Sequence, residues 1–137
     1  MTNIPADHRD DCVFCPNNGK VEILVEVSLG YATLAINSPI EGALLIIPRR
    51  HIEHFSAMPD DWHGAMLDIF ELLTDHHPLL YTPGASYNIS VNLGREAGQR
   101  IKHLHWWVIP RMSENPTCAA FELGPATLIA HAQAQHA

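Results

Sequence analysis

Only one stretch of this chain repeats its apolar residues at helical spacing, and it stands between runs that alternate or are continuously apolar. Trp62, Ala65, Met66, Ile69, Phe70 and Leu73 fall on a single stripe when wound at helical pitch. Pro59 suits the first turn, Asp60 and Asp61 suit the positive N-terminal end, and His76, His77 and Pro78 mark the other end. On either side the period is that of strands. Val21, Ile23, Val25 and Val27 share a face over Val21–Val27, a turn at Ser28–Gly30 leads to a hairpin partner over Tyr31–Ile36, and Ala43–Ile47 is a buried strand stopped by Pro48. Beyond a turn at Thr82–Gly84, Ser86–Val91 and Ile101–Ile109 make a fourth and a fifth strand around a glycine-containing loop, Asn92–Arg100. A meander with one inserted helix implies an α+β domain, a mainly antiparallel sheet of five strands with one long helix packed on it. Residues 1–137 read as one domain, and Met112–Ala137 as an Ala-rich tail, either a short helix or an arm over a partner subunit.

Charge narrows the function. A net charge of −7 with eight Lys and Arg leaves no broad basic surface for a nucleic acid polymer. Six of those cations (Arg49, Arg50, Arg95, Arg100, Lys102 and Arg111) fall in two segments, which suits a small anionic ligand. No apolar run approaches the ~20 residues of a membrane span. The polar start, with Asp7, Asp10 and Asp11, does not resemble a signal peptide, so a cytoplasmic location is expected. Three cysteines make no disulfide framework; Cys12-x-x-Cys15 reads as metal or redox chemistry, and Cys118 as an ordinary thiol.

The chemistry concentrates at His103 and His105. On an extended strand, His103, His105 and Trp107 project one way while Leu104, Trp106 and Val108 project the other. Buried imidazoles need partners, and two side by side are either a satisfied structural pair or a site. Directly upstream, Gly94 and Gly98 let backbone N–H groups approach an anion, and Asn92 and Gln99 bring amide donors.

The run from Gly94 to Arg111 (Gly-Arg-Glu-Ala-Gly-Gln-Arg-Ile-Lys-His-Leu-His-Trp-Trp-Val-Ile-Pro-Arg) closely resembles the signature of the histidine triad (HIT) family of nucleotidyl hydrolases and transferases. Pro48-Arg-Arg-His-Ile52 and Cys12-Val-Phe-Cys15 match further family elements. The resemblance implies that His105, the middle histidine, is the nucleophile, and that a nucleotidyl-histidine forms and is then cleaved. It assigns phosphate or nucleoside contacts to Asn92, Gly98, Gln99, Arg100, Trp107 and Asn37. Arg100 stands where a hydroxyl residue is frequent, Trp107 stands where the third histidine would be, and Asn37 lies two residues from the usual ribose-contact position, here Ala35. It further implies a structural zinc held by Cys12, Cys15, His51 and His103 in a closed shell, and a homodimer. The expected substrate class is nucleoside or dinucleoside polyphosphates. Two rivals stand beside this: His103 and His105 as ligands of a catalytic zinc, and a nucleotide-binding regulatory module with little turnover because of Trp107.

Overall fold

The computed structural model of the chain describes residues 6–35, 43–76 and 86–111. Asn37, Cys118, the helix end expected at His77 and Pro78, the turn at Thr82–Gly84 and the tail 112–137 lie outside these residues.

Five strands form one antiparallel sheet. They are β1 (Val25–Glu26), β2 (Gly30–Leu34), β3 (Leu44–Pro48), β4 (Ser86–Val91) and β5 (Trp106–Arg111), ordered β1-β2-β3-β5-β4. Helix α1 spans Trp62–His76. Its stripe lies against the sheet as the spacing requires: Trp62, Ala65, Ile69 and Leu73 are buried, with Met66 and Phe70 packed at the margin. They meet Ala32, Leu44, Ile46 and Val108, the side chains on one face of the sheet. The opposite face carries Tyr31, Leu45, Ile47, Trp107 and Ile109, and the N-terminal segment covers it through Phe14. The sheet is therefore the middle of three layers, and its central strands are continuously apolar because both faces are covered. Gly30 permits a close approach in this packing. A Cβ there would meet the Trp62 ring at 2.8 Å and the Ile47 carbonyl oxygen at 2.9 Å. No described helix is long and apolar enough to cross a membrane.

Two strands are shorter than their side-chain patterns imply. Over Val21–Val27 only Val25 and Glu26 join the ladder, because Leu24 makes a single bond to the Ala32 carbonyl at 2.8 Å and the chain then departs. The fifth strand begins at Trp106 and not at Ile101. Residues 101–105 leave the sheet to meet the segment after β3, where the Leu104 N–H donates to the Ile52 carbonyl at 2.7 Å. His103 and His105 thus stand just before the strand, not on it.

Candidate functional site

The N-terminal knuckle is built by local hydrogen bonds. The Cys15 N–H donates to the Cys12 carbonyl at 3.3 Å, and the Asn18 amide donates to the carbonyls of Arg9 at 2.8 Å and Cys12 at 2.7 Å. Gly19, at φ 66°, closes the short turn Pro16–Asn18 in the left-handed region that glycine tolerates. This holds both thiols toward the sheet. The Tyr31 hydroxyl donates to the Phe14 carbonyl at 2.7 Å and pins the knuckle to β2.

The knuckle brings Cys12 and Cys15 to His51 and His103, with all four ligand atoms within 4.8 Å of one another. The tautomers follow from the partners. His103 Nε2 donates to the Pro48 carbonyl at 2.6 Å, and His51 Nε2 donates to the Glu53 carboxylate at 2.8 Å. Carbonyl and carboxylate oxygens only accept, so each ring presents its Nδ1 lone pair to the thiols. Those nitrogens stand 3.4 Å from Cys12 Sγ (His103), and 3.5 Å (His51) and 3.7 Å (His103) from Cys15 Sγ. Zn–S and Zn–N bonds of about 2.3 and 2.0–2.1 Å at tetrahedral angles place S and N about 3.6 Å apart, so the set fits a Cys2His2 metal shell. Burial holds His103 down at about 4, which keeps it neutral, the form that ligates. Burial, with the neighbouring Cys12 thiol, pushes the Cys15 thiol up to about 11, and a bound cation would reverse that preference.

His105 stands outside this cluster. Its Nδ1 donates to the His103 carbonyl at 2.8 Å, so the basic lone pair belongs to Nε2. The ring is 3% exposed and packs on Phe14 with centroids 4.9 Å apart. Through Phe14 and the His103 backbone, the Cys2His2 cluster and His105 share one support. The alternation read from the sequence survives the loss of the strand, since His103, His105 and Trp107 all lie on the Phe14 side of the sheet.

The loop before the histidines is closed on itself. Gln99 Oε1 accepts from the Gly94 N–H at 2.8 Å, and Gln99 Nε2 donates to the Ile101 carbonyl at 2.9 Å. The N–H groups of Gly98 and Gln99 bond to Arg95 and Gly94 within the loop, at 3.0 and 3.1 Å. Gly94 and Gly98 lie at φ 93° and 95°, which L side chains rarely adopt. Asn92 directly follows β4, whose last pair with β5 is Val91 with Trp106, and His105 directly precedes β5. Arg100 is exposed at the loop's end. Trp107 is 4% exposed in the cluster of Tyr31, Leu45 and Ile47, so most of its indole is core.

Two contributors went unnamed in the sequence. Glu53, bonded to His51, sits two residues along an extended segment, and that spacing was its one available signal. Phe14 lies inside the Cys-x-x-Cys knuckle, and nothing local marks its contact with His105.

Residues 18–114 match the HIT domain family. The chain is 34% identical over 115 residues to adenosine 5′-monophosphoramidase of Candida albicans, covering 80% of this chain and 75% of that protein. It is 32% identical over 107 residues to an adenylylsulfatase of Arabidopsis thaliana, covering 75% of this chain and 53% of that one. The crystal structure of a histidine triad nucleotide-binding protein from Candida albicans aligns with a TM-score of 0.62 at 34% identity, covering 76% of this chain and 77% of that one. The chain belongs to the HIT family, and its five-stranded antiparallel sheet with one helix is the fold of that family.

Proposed function

We propose that this chain is a nucleotide phosphohydrolase or nucleotidyl transferase that acts on nucleoside or dinucleoside polyphosphates through a nucleotidyl-histidine on His105. The observation that carries the reading is the 2.8 Å bond from His105 Nδ1 to the His103 carbonyl, which leaves Nε2 as the unprotonated nitrogen of a buried, oriented ring, the form a nucleophile needs. The relatives' names, a phosphoramidase and an adenylylsulfatase, support hydrolysis at a nucleotide's phosphate.

Nε2 bonds to the α-phosphorus as the bond to the bridging oxygen breaks, and that electron pair leaves on the departing phosphate. Water or another hydroxyl acceptor then attacks phosphorus, the P–N pair returns to Nε2, and the attacking group's proton passes to solvent. Asn92 and Arg100 contact the phosphate oxygens where charge develops, while Gly98 and Gln99 serve by fixing the loop between them. Trp107 has no titratable proton near neutral pH and cannot protonate an amine leaving group, whereas a polyphosphate leaves readily as an anion. Asn37 is proposed at the nucleoside. Cys12, Cys15, His51 and His103 would hold zinc, whose four protein ligands leave no open position, so it would supply a cross-link and not a Lewis acid. A reducing cytoplasm suits such thiolates, and exposed Ile89 on edge strand β4 supports a homodimer.

The test is a panel of nucleoside polyphosphates and phosphoramidates, quenched during turnover in alkaline denaturant, which spares a P–N bond, and read by intact-protein and peptide mass spectrometry. A nucleotidyl adduct on His105 is expected, and His105→Ala should abolish turnover while nucleotide binding stays nearly intact. Retained turnover in that variant moves the chemistry elsewhere. Tight nucleotide binding with no product over hours favours the regulatory-module reading, which the burial of Trp107 at the third-histidine position motivates.

A further inference from the structure

A cavity of about 660 Å³, within the range of small-ligand pockets, opens beside the loop between Gly94 and Gln99. Arg95, Arg100 and Lys102 line it. In a chain of net charge −7, three of the eight cationic residues share this one space.

The arginines elsewhere are engaged. Arg9 faces Glu53 at 3.6 Å, Arg49 faces Glu26 at 3.4 Å and Arg50 faces Asp7 at 3.1 Å, while Arg111 donates to Asn88 at 2.7 Å. Among the described residues, none of the ion pairs includes Arg95, Arg100 or Lys102. The carboxylate on the cavity wall, Glu53, is already bonded to His51 at 2.8 Å and paired with Arg9, so the nearby Lys102 charge is its third favourable neighbour and the wall stays net positive. Clustered cations repel one another, and a multivalent anion between them relieves that repulsion. Two guanidinium forks and one ammonium match phosphate oxygens in geometry and charge.

The position is as informative as the charge. The loop runs from the end of β4, where Val91 pairs with Trp106, to Arg100 and Lys102, and Lys102 adjoins the residue whose carbonyl holds His105. The lining runs up to Lys102, so an anion in the cavity would sit beside the segment that leads into His103 and His105.

We propose that this cavity is the subsite for the phosphates beyond the scissile bond, the part of the substrate that leaves as a di- or triphosphate, with Arg95, Arg100 and Lys102 as its ligands. This rests on the nucleotidyl-histidine reading above, and its test separates the two. Full-length wild type and Arg95→Gln/Lys102→Gln are compared on a nucleoside tetraphosphate and a phosphoramidate of the same nucleoside. The ratio of their kcat/KM values should fall about tenfold in the variant, as for loss of charge-assisted contacts at an open site. Raising salt from about 0.05 to about 0.5 M should lower the ratio in wild type more than in the variant. Inorganic tripolyphosphate, titrated calorimetrically, should bind the variant about tenfold more weakly, and Arg95→Lys/Lys102→Arg should restore binding. Circular dichroism melting checks both folds, and the single Arg95→Gln change replaces any double variant that melts early. An unchanged ratio with equal tripolyphosphate binding overturns the subsite. If wild type turns over no nucleotide, the function proposed above falls. Tripolyphosphate then decides alone: selective loss in the variant upholds the subsite, and equal or absent binding overturns it.

Discussion

Glu53→Gln tests whether Cys12, Cys15, His51 and His103, as the proposed metal ligands, depend on a residue behind them. The Glu53 carboxylate accepts from His51 Nε2 at 2.8 Å, while His51 Nδ1 faces the Cys15 thiol at 3.5 Å. The imidazole side chain is 6% exposed and the carboxylate 36%, so the bond is shielded at one end and open at the other. A negative partner behind a ligating imidazole fixes its tautomer and raises its basicity; glutamine keeps an acceptor oxygen but loses the charge. Loss of such a partner costs about 10–100-fold in metal affinity, or about 1.4–2.7 kcal/mol. Metal that binds only the folded chain returns this difference as stability, so metal-loaded protein should melt roughly 4–12 °C lower. In metal-free protein Glu53 loses only the half-exposed His51 bond and the 3.6 Å pair with Arg9, worth below about 1 kcal/mol together. Zinc competition against a chromogenic chelator gives the affinity, and calorimetric melting with and without metal gives the stability. Affinity within about twofold of wild type, or an equal loss of stability without metal, would refute the coupling.

Cys12→Ser removes the sulfur 3.4 Å from His103 Nδ1, so zinc should no longer co-purify at one ion per chain and the melting temperature should match chelator-treated wild type; equal stability with and without metal would sink the structural role. Ile69→Ala, at a fully buried position between α1 and the sheet, should cost about 2–5 kcal/mol in urea unfolding at unchanged m-value, and a loss below about 1 kcal/mol would contradict the packing. Wild type should cleave polyphosphates at least about tenfold faster than phosphoramidates, a barrier difference of about 1.4 kcal/mol. Trp107→His should narrow that gap, measured well below the lowered melting point that a gap beside Phe14 entails, and a wild type that prefers the phosphoramidate would overturn the leaving-group reasoning.

The helix was legible because one stripe at helical spacing has one way to be buried, and Trp62, Ala65, Ile69 and Leu73 are buried. The facing of His103, His105 and Trp107 was legible too, yet the strand that appeared to carry them was not there. Side-chain alternation states which way residues point, not which backbone they pair with. The Ile52 and Pro48 groups that draw residues 103 and 104 out of the sheet lie about fifty residues away in sequence, out of reach of any local pattern. The Cys12–His103 approach, 91 residues apart, was likewise accessible only through family resemblance. The cations make the same point with consequences for function. Arg49 and Arg50 looked equivalent to Arg95 and Arg100, as clustered positive charge in an acidic chain. The fold separates them by what it brings near: Glu26 and Asp7 neutralise the first pair, whereas the second lines a cavity whose carboxylate is engaged by His51 and Arg9. Charge in a sequence therefore becomes a candidate binding site only after tertiary structure has assigned its partners, and here the fold gathers Arg95, Arg100 and Lys102 around one cavity.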